Sequence, residues 1–154
     1  MPNLASGVFS DDVGAVVLVV QNGVDPSNQE WEHYLANIRS CLDLPRASGL
    51  AFTDGGTPGA LQRGRVNELL RSRRPPSAVV SNSIAVRSVI TALRWFNPQT
   101  AAFSGRNVNA ALRFAQVEPE RVEALWQVVL GLDRQLTPRS RIIEEASSAL
   151  GAAG

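Results

Sequence analysis

At 154 residues, 44% of them hydrophobic, the chain is long enough for one hydrophobic core and too short for a second independent one. All 15 basic residues are arginine, set against 14 acids for a net charge of +1, so Schiff-base chemistry and a P-loop lysine on a phosphate are both excluded. A single cysteine, Cys41, excludes an internal disulfide and a cysteine-rich metal site and fits a reducing compartment.

Residues 1–10 carry no leader pattern, and the longest apolar run, 13–20, is far too short to cross a bilayer, so a soluble, cytoplasmic protein is expected. Val8-Phe9 and the run 13–20 flank Ser10-Asp11-Asp12, which predicts a hairpin or an edge strand turning into a buried central one. Asp25-Pro26 opens a helix on which Trp31, Tyr34, Leu35, Ile38 and Leu42 recur at three- and four-residue spacing, with Ser27 and Glu30 as a capping box and Pro45 as its stop.

Gly49-Leu50-Ala51-Phe52 is a second buried strand. It breaks into Thr53-Asp54-Gly55-Gly56-Thr57-Pro58 and restarts as a helix through Leu61, Val66, Leu69 and Leu70, with Thr57 as cap and Pro58 in the first turn. Arg71-Ser72-Arg73-Arg74-Pro75-Pro76 ends that helix, the arginines reading as a solvated helix terminus. Ala78-Val79-Val80 is a third buried strand, and Ser83 caps a helix bearing Val86, Val89, Ile90, Leu93 and Phe96, which Asn97-Pro98 stops.

A fourth strand over 100–103 leads to a helix through Val108, Ala111, Leu112 and Ala115, and Glu118-Pro119 starts another, to about Leu136, with Val122, Leu125, Val129 and Leu132 inward. The order ββαβαβαα predicts an α/β fold: a mixed, mostly parallel sheet of four to five strands with helices packed on it. Thr137-Pro138 begins a C-terminal extension with Ile142, Ile143, Ala146 and Leu150, read as a short helix with a frayed tail, so the expected division is a domain over 1–136 and a tail over 137–154.

The strand-to-helix elbow at 53–58 lies where open α/β sheets dock ligands, at the carboxyl ends of strands. Phe52-Thr53-Asp54-Gly55-Gly56-Thr57, with Val79-Val80-Ser81-Asn82-Ser83, Val86-Arg87 and Leu93-Arg94-Trp95-Phe96-Asn97-Pro98, resembles the STAS family of anti-sigma-factor antagonists, in particular its SpoIIAA-like branch, from about Val8 to Val117. The resemblance implies a bacterial regulatory and signalling module that binds another protein and does no chemistry. It matches Asp54 to the family's strand-end aspartate and places Gly55 where a partner kinase's serine would stand. Thr53 and Thr57 are then the hydroxyls left for modification.

Other chemistry finds little to stand on. His33 is the only imidazole, reads as a surface residue, and sits about 12 Å along its helix from Cys41, a buried core thiol, so the two do not pair. Asp54 is placed for magnesium but has no second carboxylate nearby, and its structural reading is that it holds the glycine reversal by accepting backbone N–H bonds. No metal site, catalytic residue or cofactor is expected.

The charge is nevertheless uneven along the chain. Residues 63–113 hold nine arginines and one acid, Glu68, between acidic flanks. Aromatics, at 6%, do not interleave with these arginines, which argues against nucleic acid. Arg63, Arg87 and Arg94 are instead expected to frame an anion-attracting patch.

The expected contact set is therefore Thr53, Asp54, Gly55, Gly56, Thr57, Arg63, Arg87 and Arg94. Trp95 and Trp126 sit at the margins of their stripes, open either to an interface or to partial burial. Three readings stay open: a protein-binding module, which includes self-association; a small-molecule or lipid carrier with an apolar pocket between sheet and helices; and a weak metal-dependent hydrolase using Asp54 and arginines. An anionic ligand or lipid is among the partners left open.

Overall fold

A computed structural model describes residues 2–11, 14–56, 58–71, 73–93 and 99–153. Asp12, Thr57, Arg94, Trp95 and Phe96, which the sequence singles out, lie outside the described residues. The β-branched runs form a five-stranded sheet in the order β1 (Leu4–Ser10), β2 (Gly14–Gln21), β3 (Arg46–Thr53), β4 (Ser77–Val80) and β5 (Thr100–Phe103). β1 pairs antiparallel to β2 from Leu4↔Gln21 to Ser10↔Ala15, and every other pairing is parallel. Five strands stand at the upper end of the expected range, the observed order ββαβαβαβααα carries one βα unit and one C-terminal helix more than ββαβαβαα, and β1 is longer than Val8-Phe9.

Side chains alternate across a strand, so each face of the sheet has its own core. Val16, Leu18, Val20, Leu50, Phe52, Ala78 and Val80 point to one face, which is covered by α4 (Val108–Phe114), α5 (Val122–Asp133) and α6 (Arg141–Ala153). Ala15, Val17 and Val19 point to the other, where α1 (Asn28–Cys41) lays down Trp31, Leu35, Ile38 and the buried thiol of Cys41. His33 is exposed on that helix.

Helix starts follow local chemistry where the partners are close in sequence. Ser27 Oγ accepts from Glu30 N and Glu30 Oε1 from Ser27 N, both at 3.1 Å, which closes the capping box. Glu30 also reaches β1: its Oε2 accepts from Asn3 N at 2.7 Å and Leu4 N at 2.5 Å. Burial pulls its pKa up, but these backbone bonds outweigh that and hold the carboxyl below its ordinary value. Ser83 Oγ accepts from Val86 N at 3.3 Å at the start of α3 (Ile84–Leu93), as its position predicts.

Two helices depart from expectation. The one after the elbow, α2 (Ala60–Leu69), begins two residues late, with Gly59 rather than Thr57 in the N-cap position and Pro58 outside it. None of its residues is buried, and Leu61 is 87% exposed. Val66, Leu69 and Leu70 share one side and pack partly buried against the α1 core, whereas Leu61, at about 100° per residue, lies roughly 140° around the helix from Val66 and faces away. The helix expected from Glu118 to Leu136 splits into a 3₁₀ turn, Pro119–Arg121, and α5, which ends at Asp133.

The segment after Leu136 packs on the same core as the rest. Ile142, Ile143 and Ala146 of α6 are buried there, with Ala149 and Leu150 against them. Trp126 is buried too, edge-on to Phe52 and donating from Nε1 to Ser147 Oγ at 3.1 Å, so α6 is what covers it.

Candidate functional site

Parallel pairing brings the carboxyl ends of β2, β3 and β4 to one rim, and the elbow leaves β3 there. Thr53 is buried, its Oγ1 donating to Gly56 O and accepting from Gly55 N, both at 3.2 Å, so the hydroxyl is spent inside the turn. Gly55 has φ +136°, a conformation that excludes side chains. Gly56 is packed on the β2–α1 turn: an added Cβ would lie 2.4 Å from Val24 O, and Gly56 N donates to Asn22 O at 3.2 Å.

Asp54 does not hold the glycine reversal. Its Oδ2 accepts from Arg141 N at 2.7 Å and its Oδ1 from Ile142 N at 2.8 Å, so the carboxylate caps α6 from 87 and 88 positions away. The local candidate for that cap, Ser140, is buried with its Oγ unpartnered among the described residues. Asn22, fully buried beside this junction, donates from Nδ2 to Asn3 Oδ1 at 3.1 Å and to Pro138 O at 2.9 Å, tying three segments together. Asp133, also buried, accepts from Arg139 at 2.9 and 3.0 Å and from Ser140 N at 3.0 Å.

Of the three arginines expected to form one patch, Arg94 lies outside the described residues. Arg63 is half-buried and donates from Nη1 to Pro58 O at 2.9 Å, while Arg87 is exposed on α3. Arg73 is not a solvated helix end: it donates to the carbonyls of Leu42, Leu44 and Pro45 and pins the α1–β3 loop. Among the described residues no cluster of three or more His, Cys, Asp or Glu is arranged to hold a metal.

Two further features mark this end of the molecule. One is a set of exposed apolar side chains: Val24, Leu61 and Ile84, at 47%, 87% and 81% exposure, follow β2, β3 and β4 respectively onto the rim. The other is a cleft of about 180 Å³ under α2 and α3. On the face that Leu50 and Phe52 leave behind, β3 and β4 offer mostly small side chains, among them Gly49, Ala51 and Ser77, and Val66 and Leu70 line the gap without filling it. Trp31, Tyr34, Val79, Val86, Ile90 and Arg63 are among its walls. Burial pushes the Tyr34 phenol up to about 12, so it stays protonated.

One solved structure shares this architecture at TM-score 0.50 and 12% identity, over 67% of this chain and 87% of the other: an uncharacterized DUF3478-family protein from Shewanella loihica PV-4 with a SpoIIAA-like fold. The fold is SpoIIAA-like. At that identity the likeness speaks for the fold alone. No protein-family model matches the chain, and no curated protein matches it. Asp54 directly follows β3 at the rim, and its carboxylate belongs to α6. None of the helices is long and apolar enough to cross a membrane among the described residues.

Proposed function

We propose that this SpoIIAA-like domain is a non-enzymatic regulatory module of the cytoplasm that binds another protein through the carboxyl-end rim of its sheet. One observation carries the reading. The exposed large hydrophobics among the described residues, Val24, Leu61 and Ile84, all stand on that rim, and apolar side chains left in water in this way suit a protein interface. The occupancy of Asp54 supports the non-enzymatic part, since both oxygens of the one carboxylate offered for hydrolysis already accept helix amides.

Modification at Thr53 requires the turn to open first, because its hydroxyl is buried and bonded twice. Binding by occupancy of Pro58 to Leu61 and the start of α3 needs no such opening. A photoreactive amino acid placed at Leu61 or at Ile84, in the native host, is expected to crosslink one defined protein, and Leu61→Asp with Ile84→Asp to abolish that product. Crosslinking no stronger than from Glu123, which is exposed on α5, refutes the rim as an interface. Sedimentation of the purified chain shows whether the partner is a second copy.

A further inference from the structure

The cleft under α2 has a composition that selects a ligand. Among the described residues that line it Arg63 alone is charged, and none of them is a carboxylate. Nη1 of Arg63 is used on Pro58 O, while Nε and Nη2, the edge that grips a carboxylate with two parallel bonds, have no partner among the described residues. The remaining wall is mostly apolar: Ala51, Val79, Val86, Val89 and Ile90 with the rings of Trp31 and Tyr34.

One cation in an apolar cleft balances one negative charge. A dianion would leave a second charge buried without a partner, and an amine would meet no acid. The volume, about 180 Å³, is near that of an apolar cavity that admits benzene, or about six groups of roughly 30 Å³ each. We propose that this cleft binds a free, single-chain monocarboxylate of medium length, its chain against Val79, Val86 and Ile90 and its carboxylate on the open edge of Arg63.

The proposal rests on the cleft and not on the rim, so it stands or falls apart from the protein-binding reading. Octanoate, octylamine and octanol at concentrations below self-association serve as probes, titrated by calorimetry and by methyl shifts of Val79, Val86 and Ile90. Octanoate is expected to bind saturably with shifts at those methyls, and octylamine not to bind. In Arg63→Gln the affinity for octanoate falls tenfold or more, whereas that for octanol is unchanged. Ala51→Leu fills the cleft and removes both while the melting temperature holds or rises. No saturable octanoate binding, equal binding of the amine, or an Arg63→Gln affinity within twofold of the parent overturns the assignment.

Discussion

Replacing Asp54 by alanine tests the central structural claim, that the elbow's acid serves the stability of α6. The substitution removes two charge-assisted bonds, at 2.7 and 2.8 Å, from the first amides of a 13-residue helix. A lost cap costs about 0.5–2 kcal/mol, and the interaction of the charge with the helix N-terminus adds roughly 0.3–1 kcal/mol. Asp54 is only half-buried, so water recovers part of this, and about 2 kcal/mol is expected. For a chain of this length that is a drop of about 4–8 °C in melting temperature. Asp54→Asn keeps one acceptor and loses about half as much.

Urea unfolding gives the energy, and amide exchange gives the location. Protection of the Arg141 and Ile142 amides should fall by about 30-fold, the factor that corresponds to about 2 kcal/mol. The sign of the effect is diagnostic. An acid held free for a ligand or a metal is usually strained, so its removal leaves stability unchanged or raises it. An Asp54→Ala variant within about 0.5 kcal/mol of the parent, or more stable than it, refutes the cap.

Two further substitutions read neighbouring parts of the same framework. Glu30 titrates below its ordinary 4.5, so its contribution is fully present above that value and is lost as pH falls through the lowered one. Glu30→Gln should therefore cost about 1–2 kcal/mol at neutral pH, discounted for partial exposure, and the gap between variant and parent in urea midpoint should close toward pH 3; a gap that does not move with pH removes the charge as its cause. Ser140→Ala deletes a buried hydroxyl without a partner and should stabilise the protein by about 1 kcal/mol; a loss of more than about 0.5 kcal/mol in thermal or urea unfolding would show that the hydroxyl is bonded.

What the sequence discloses depends on the distance between partners. The Ser27–Glu30 box, the Ser83 cap, the burial of Cys41 and the alternation along β2 and β3 are all decided within a few residues, and each is visible as a spacing. The role of Asp54 is decided by Arg141 and Ile142, that of Asn22 by Pro138, and that of Arg73 by a loop 28 to 31 residues earlier. No local pattern encodes such pairs. Trp126 looks marginal for the same reason, since the helix that covers it comes later in the chain. The sequence leaves open an apolar pocket between sheet and helices without locating it: Gly49, Ala51 and Ser77 are unremarkable one by one, and only the parallel register sets them on one face beneath α2 and α3.

These two long-range facts divide the rim. On one side of the sheet Asp54 is closed off by α6, and between the strands Gly56 is wedged against the β2–α1 turn, so neither offers a free group to a visitor. What remains open is the stretch from Pro58 into α2, which presents Leu61 outward and Arg63 toward the cleft. α2 is held in place by Trp31 Nε1 donating to Gln62 O at 2.8 Å, by Gln62 Nε2 donating to Pro26 O and Asn28 Oδ1, and by Val66 and Leu69 against the α1 core, so Leu61 is presented from an anchored helix. A partner reading this surface therefore depends on the helix after the elbow rather than on the acid within it. Substitution at Asp54 should change stability and leave binding to the rim intact, whereas substitution at Leu61 should do the reverse.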